Sequence, residues 1–282
     1  MMMGAALLMA VLASCNAVMA KNIKPSDNVV DKEVAMDRIT GVTLAINARV
    51  VYTQGDATTL RMHGPDNIID EVRLVNKGGM VTIKYDDGVN VAGKMDKSML
   101  MIYITSPSIS DLVVSGSGDI DVPGRIDVAL LNLVVSGSGD ISTKGITAKS
   151  VINATVAGSG DIEMDLATNA SELNAVVAGS GDIECENVGA KLANLVVNGS
   201  GDIEVKGGRA ATASITISGS GDVNARRMQA STVNAVVAGS GDVICNTTTV
   251  LNATISGSGE IKYVGTPQVT CATRDKPSPI GL

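Results

Sequence analysis

The sequence predicts an all-β chain wound as a right-handed parallel β-helix with coils of about 20 residues, and three observations carry that prediction. First, the phrase Gly-Ser-Gly-Asp/Glu-Ile/Val occurs eight times. Its acidic residues are Asp119, Asp140, Asp161, Asp182, Asp202, Asp222, Asp242 and Glu260, at intervals of 21, 21, 21, 20, 20, 20 and 18 residues. Such a period marks stacked units that cannot bury an apolar face alone. Second, apolar residues fall into columns. Five positions before the acid stand β-branched residues from Val114 to Ile255, and seven before it stand Leu, Ala or Ile from Leu112 to Ala253. These two columns share one strand face. Third, the residues after each acid alternate apolar and polar, as in Ile162-Glu163-Met164 and Ile183-Glu184-Cys185. That is the signature of a second short strand. Two strands, a glycine-rich bend and a loop fill about 20 residues, so no ordinary helix fits. A leucine-rich horseshoe, the other architecture of similar period, requires an Asn/Leu signature that is absent.

In chain order, residues 1–20 carry no charge and include the apolar run Leu7 to Ala13, too short to span a bilayer. They read as an export signal, although no basic residue precedes the run. Two processing sites compete. Leu12-Ala13-Ser14-Cys15 resembles a lipobox, which would make Cys15 the lipidated first residue; Val18-Met19-Ala20 fits ordinary cleavage after Ala20. The lipobox is favoured. Residues 21–38 are polar and are expected to form a tether. Residues 39–270 are expected to form one domain, with irregular first coils over 39–110 and eight regular coils over 111–264. Strands are expected near 42–46, 72–75, 81–85 and 100–104, and residues 271–282 are expected to be a tail.

Net charge is −7, there are four Tyr and neither Trp nor Phe, and no basic run exceeds Arg226-Arg227. Neither a basic groove nor a stacking platform for nucleic acid is present. Cys185 and Cys245 occupy one column three coils apart, about 14 Å along the stack, too far for a disulfide. They read as small buried apolar residues, with one histidine, His63, in the whole chain to share a metal site with them.

The acidic residues form a row at about 4.8 Å spacing, which costs energy unless the charges are satisfied. Calcium is one reading, since carboxylate oxygens suit that ion. The other has each carboxylate accept hydrogen bonds from backbone N–H groups of its own turn, with the two glycines supplying conformations that a Cβ would forbid. One carboxylate per coil of twenty, rather than per nine residues, favours the structural reading. The asparagines eight positions before the acid, such as Asn132, Asn153 and Asn174, can form an amide ladder between coils. Six positions before the acid, an outward column from Val113 to Thr254 is β-branched throughout and offers a contact strip.

The repeated phrase, the lead-in Leu100-Met101-Ile102-Tyr103-Ile104-Thr105-Ser106-Pro107 and the closing Gly257 to Pro267 together resemble the putative auto-transporter adhesin, head GIN domain family, over about residues 39–270. The resemblance implies a right-handed β-helix in an exported protein, often a lipoprotein, of Bacteroidetes-like bacteria, and it brings no catalytic residues. The expectation is therefore a non-enzymatic, envelope-anchored solenoid without cofactor, at the outer membrane, or periplasmic or secreted if cleaved after Ala20. Its partner would be a polysaccharide, another envelope protein or a second copy; a membrane would be met only through the N-terminal lipid. The rival is a glycan-active enzyme of the polysaccharide lyase type, disfavoured because long cleft-forming loops and aromatic sugar platforms are missing.

Overall fold

The computed structural model describes residues 21–92, 96–166, 170–273 and 276–281. The regular coils stack as the periodicity requires. Asp111, Asn132, Asn153, Asn174 and Asn194 pair in parallel register from coil to coil, and the chain of partners continues through Ser214 and Asn234 to Asn252. After the turn, Ile120, Ile141, Ile162, Ile183, Ile203, Val223, Val243 and Ile261 form the second parallel column. Both apolar columns before the turn are buried, with Val177 at 0% exposure in the middle and Ile255 at 5% near the end. Each Val, Leu or Ile among them contributes about 1.5 to 3 kcal/mol when fully buried, and its contacts lie in the coils above and below it.

The N-terminal end departs from the expected order. Its elements are β1 (Lys21–Ile23), β2 (Val29–Val34), β3 (Gly41–Leu44), β4 (Arg49–Gln54), β5 (Thr59–Pro65), α1 (Asp66–Ile69), β6 (Val72–Lys77), β7 (Met80–Tyr85), β8 (Val89–Val91) and β9 (Met101–Ser106). The coil made by β3 and β4 lies directly against the first regular coil, through Val42 to Leu112 and Val50 to Ile120. The later coil, β7 and β9, lies on the far side of that one. The chain thus winds an inner coil, then an outer coil, and returns past the inner coil to Asp111. Antiparallel strands close both sheets here: β6 on β7, β5 on β9, and β2 on β5. Sequential coils over 39–110 are therefore replaced by an out-of-order pair with a hairpin extension.

Two boundaries also move. The stretch 21–38, expected as a tether, contributes β1, paired with β8, and β2, paired with β5. Val30 and Val34 lie on one face of β2 and pack against the core, whereas the polar residues between them gave the segment its tether-like composition. At the other end, Gln268–Cys271 pairs in parallel with residues 250–253 of the last regular coil and Ser278–Pro279 pairs with Lys262 and Tyr263. The Thr273 hydroxyl accepts the Ile255 N–H at 3.0 Å. The expected tail is a cap on the last coil.

Candidate functional site

The turn edge is built by glycines that must approach one another. A Cβ on Gly137 would lie 1.9 Å from the Gly116 carbonyl oxygen of the coil below, and one on Gly181 would lie 2.1 Å from that of Gly160. None of the phrase glycines has positive φ. Close approach of coils, not an unusual backbone conformation, is what excludes a side chain. The serine between them continues the inter-coil ladder through its own N–H, as from Ser180 to the Gly158 oxygen at 2.9 Å.

The carboxylates act between coils as well. Asp119 Oδ1 accepts the Asp140 backbone N–H at 3.0 Å, and the relay repeats through Asp161, Asp182, Asp202, Asp222, Asp242 and Glu260 at 2.7 to 2.9 Å. Each carboxylate from Asp119 to Asp242 thus satisfies a donor of the next coil rather than of its own turn, which corrects the expected pairing. The geometric reason is the 4.8 Å parallel spacing, which brings the next coil's N–H under the carboxylate.

The row is neutralised at its ends. Lys97 Nζ lies 2.5 Å from Asp119 and 3.9 Å from Asp140, and Arg49 lies 3.5 Å from both Asp119 and Asp121. Lys262 lies 2.8 Å from Glu260 and 3.8 Å from Asp242. Its ammonium hydrogen-bonds Glu260 and holds that carboxyl below its ordinary value, while burial pushes Asp121 up against the opposing pull of Arg49. Among the described residues, Asp161, Asp182, Asp202 and Asp222 make no salt bridge. With Glu184 and Glu204 in the next outward column, Asp182, Asp202, Asp222 and Asp242 line a shallow groove of about 370 Å³. No group of three or more His, Cys, Asp or Glu side chains poised to hold a metal is found among the described residues.

The second surface is the outer face of the strand before the turn. Asparagine amides form its central ladder: Asn132 Nδ2 donates to Asp111 Oδ1 at 2.8 Å, Asn153 to Asn132 at 2.8 Å, Asn174 to Asn153 at 2.9 Å and Asn194 to Asn174 at 2.7 Å. Ser214 interrupts it, and it resumes from Asn252 to Asn234 at 2.8 Å. On one side runs the β-branched strip Val113, Val134, Thr155, Val176, Val196, Thr216, Val236 and Thr254, in register. On the other side runs a column that the sequence reading missed, Leu130, Val151, Glu172, Leu192, Thr212, Thr232 and Val250, aliphatic or threonine except for Glu172. It lies two positions before each asparagine, so period-2 alternation carried the signal. Leu130 and Val236 are the most exposed members, at 38% each. Lys262 could be anticipated because it shares the column of Glu184 and Glu204, whereas Arg49 and Lys97 reach the row only through the out-of-order coils. Cys15 lies outside the described residues.

A parallel stack with short turns and ladder-covered faces is a β-solenoid. The chain belongs to the family described as putative auto-transporter adhesin, head GIN domain, which matches residues 38–206 and 205–267. Solved structures share the fold. A putative adhesin from Parabacteroides merdae is 18% identical, with 93% of this chain and 100% of that chain covered and a TM-score of 0.69. A putative lipid binding protein from Parabacteroides distasonis is 24% identical, with 93% and 97% covered and a TM-score of 0.64. A putative adhesin from the same species is 18% identical, with 93% and 100% covered and a TM-score of 0.60. No curated protein matches.

Proposed function

We propose that this chain is a non-enzymatic binding scaffold of the cell envelope, lipidated at Cys15, that offers its outer strand face to an envelope polymer or protein. The observation that carries the reading is the outer face itself: a β-branched column of eight coils runs in register beside an amide ladder interrupted at Ser214, and on the ladder's other side runs a second column of aliphatic and threonine residues broken by Glu172. A flat apolar strip with a polar spine suits an extended partner rather than a small molecule enclosed in a pocket. The family name, with its adhesin head, agrees with a surface role.

The test is a capture experiment from envelope extracts with the wild-type chain and a Val176→Lys, Val196→Lys variant. The wild type should retain a partner that the variant loses. Equal capture by both would remove the strip from the account, and release of unsaturated products from acidic polysaccharides would establish the enzymatic rival instead. For the anchor, Cys15→Ala should move the protein out of the membrane fraction, whereas a wild-type chain that is soluble and begins at Lys21 would contradict lipidation. The carboxylate row is a structural element in this reading. Calorimetry should find no calcium site tighter than about millimolar, and several micromolar sites would contradict it.

A further inference from the structure

We propose that the N-terminal end of the solenoid is the surface held against a lipid bilayer, with the stack rising from it end-on. This rests on lipidation of Cys15. The folded body begins almost at the anchor. The Lys21 backbone N–H donates to the Gly88 oxygen at 2.7 Å, β1 continues in register with β8, and Ala92 N–H closes on the Ile23 oxygen at 2.8 Å. The Lys21 ammonium pairs with Glu71, immediately before β6. Among the described residues, β6 pairs with β7 alone and is the outermost strand of its sheet.

Residues 16–20 are all that separates Cys15 from this pinned strand, about 18 Å at full extension. From β6 to Gln268–Cys271 the sheet has eleven strand spacings. At about 4.8 Å each, that is a stack of about 50 Å. A leash so much shorter than the body fixes which end sits at the surface.

Charge favours the upright posture. Residues 21–110 contain 11 Lys and Arg against 11 Asp and Glu, while residues 111–282 contain 11 against 18, so the regular coils and their cap carry the whole net charge of −7. Lying flat would bring that charge within a Debye length, about 8 Å, of anionic headgroups; standing on the N-terminal end presents a neutral surface.

The full chain, processed in a host that lipidates it and reconstituted in phosphatidylethanolamine–phosphatidylglycerol vesicles, can report this by energy transfer to headgroup-labelled lipid. Cys271→Ser removes the half-buried thiol, and a donor is placed at Lys77→Cys or Gln268→Cys, both exposed positions at opposite ends of the stack. The Lys77 donor should be quenched several-fold more than the Gln268 donor. A flexible Gly/Ser insertion of about 20 residues between Ala20 and Lys21, reaching about 25 Å on average, should shrink that difference. Equal quenching of both donors without the insertion means that the stack lies flat, and stronger quenching at Gln268 means that the other end faces the membrane; either overturns the proposal while lipidation stands. A mature chain whose mass begins at Lys21, absent from the vesicles, overturns both together, and the mass distinguishes the two failures.

Discussion

The regular coils from Asp111 to Val264 and the N-terminal end from Lys21 to Ser106 bury the same kind of aliphatic core but close it by different means. In the regular coils one solution repeats. Glycine faces glycine, a carboxylate receives the next N–H, and asparagine amides bond in line. Every partner is one coil away. At the N-terminal end the partners are individual. Tyr52, fully buried, places its hydroxyl 3.1 Å from both Ser106 O and Ser106 Oγ, and the Gln54 amide donates to the Pro107 and Asp127 carbonyls at 2.9 and 3.1 Å. The stack is therefore limited by how closely backbones approach, and its end by specific antiparallel pairings.

A single methyl group on a phrase glycine should have the largest effect. Gly181→Ala places a Cβ 2.1 Å from the Gly160 oxygen, where only backbone movement can make room. It should cost about 3 kcal/mol or more in urea unfolding. Gly124 meets nothing within 4 Å of an added Cβ, so Gly124→Ala should stay within about 0.5 kcal/mol of wild type. Similar costs at both positions would mean that coil spacing is not the limit.

Next in size is the amide ladder. Asn174→Ala removes one bond given to Asn153 and one received from Asn194, leaving the Asn153 oxygen without this donor and the Asn194 amide with Glu172 as its remaining acceptor. A cost of about 2 kcal/mol is expected. Asn252 donates only to Asn234 on its inner side, and Asn252→Ala should cost roughly half as much. A larger loss at Asn252 would show that the end coil is not the more tolerant one.

The smallest effect is electrostatic and lies at the C-terminal end of the carboxylate row. Lys262 lowers Glu260 from 4.5, and Glu260 raises Lys262 from 10.5, each through their mutual hydrogen bond first. A lowered carboxyl stabilises the fold above its unfolded value, and that contribution is lost as pH falls through the folded value; a raised amine stabilises below its unfolded value and loses it as pH rises through the folded one. Lys262→Gln should therefore lower Tm slightly near neutral pH, with the difference disappearing in acid and in strong alkali and shrinking with salt. A difference that persists in acid would contradict the assignment.

Much of this was legible in the sequence, because in a repeat the same physical demand is stated eight times. The buried columns around Val177, the asparagine column and the turn phrase could each be placed by spacing alone. Four things were not. The carboxylate's partner depends on a neighbouring coil's backbone, which spacing does not orient, and the phrase glycines looked like turn residues when their role is coil contact. The winding order at the N-terminal end depends on pairings such as Leu44 with both Val114 and Ile83, which no local pattern encodes. Val30 and Val34, too few among charged neighbours, hid a strand inside an apparent tether.

The central claim, that stability passes from coil to coil, is tested most directly by native-state hydrogen exchange on Val177→Asp and Ile255→Asp. Both substitutions bury an unpaired charge in the same column. Val177 has Val156 and Val197 on either side, while Ile255 has Val237 on one side and the short cap on the other, reached through Thr273. The account predicts that Val177→Asp abolishes protection throughout the regular coils, whereas Ile255→Asp leaves the amides of the coils from Asp111 to Val205 protected as in wild type. Equal global loss of protection in both variants would show a single cooperative unit and contradict it.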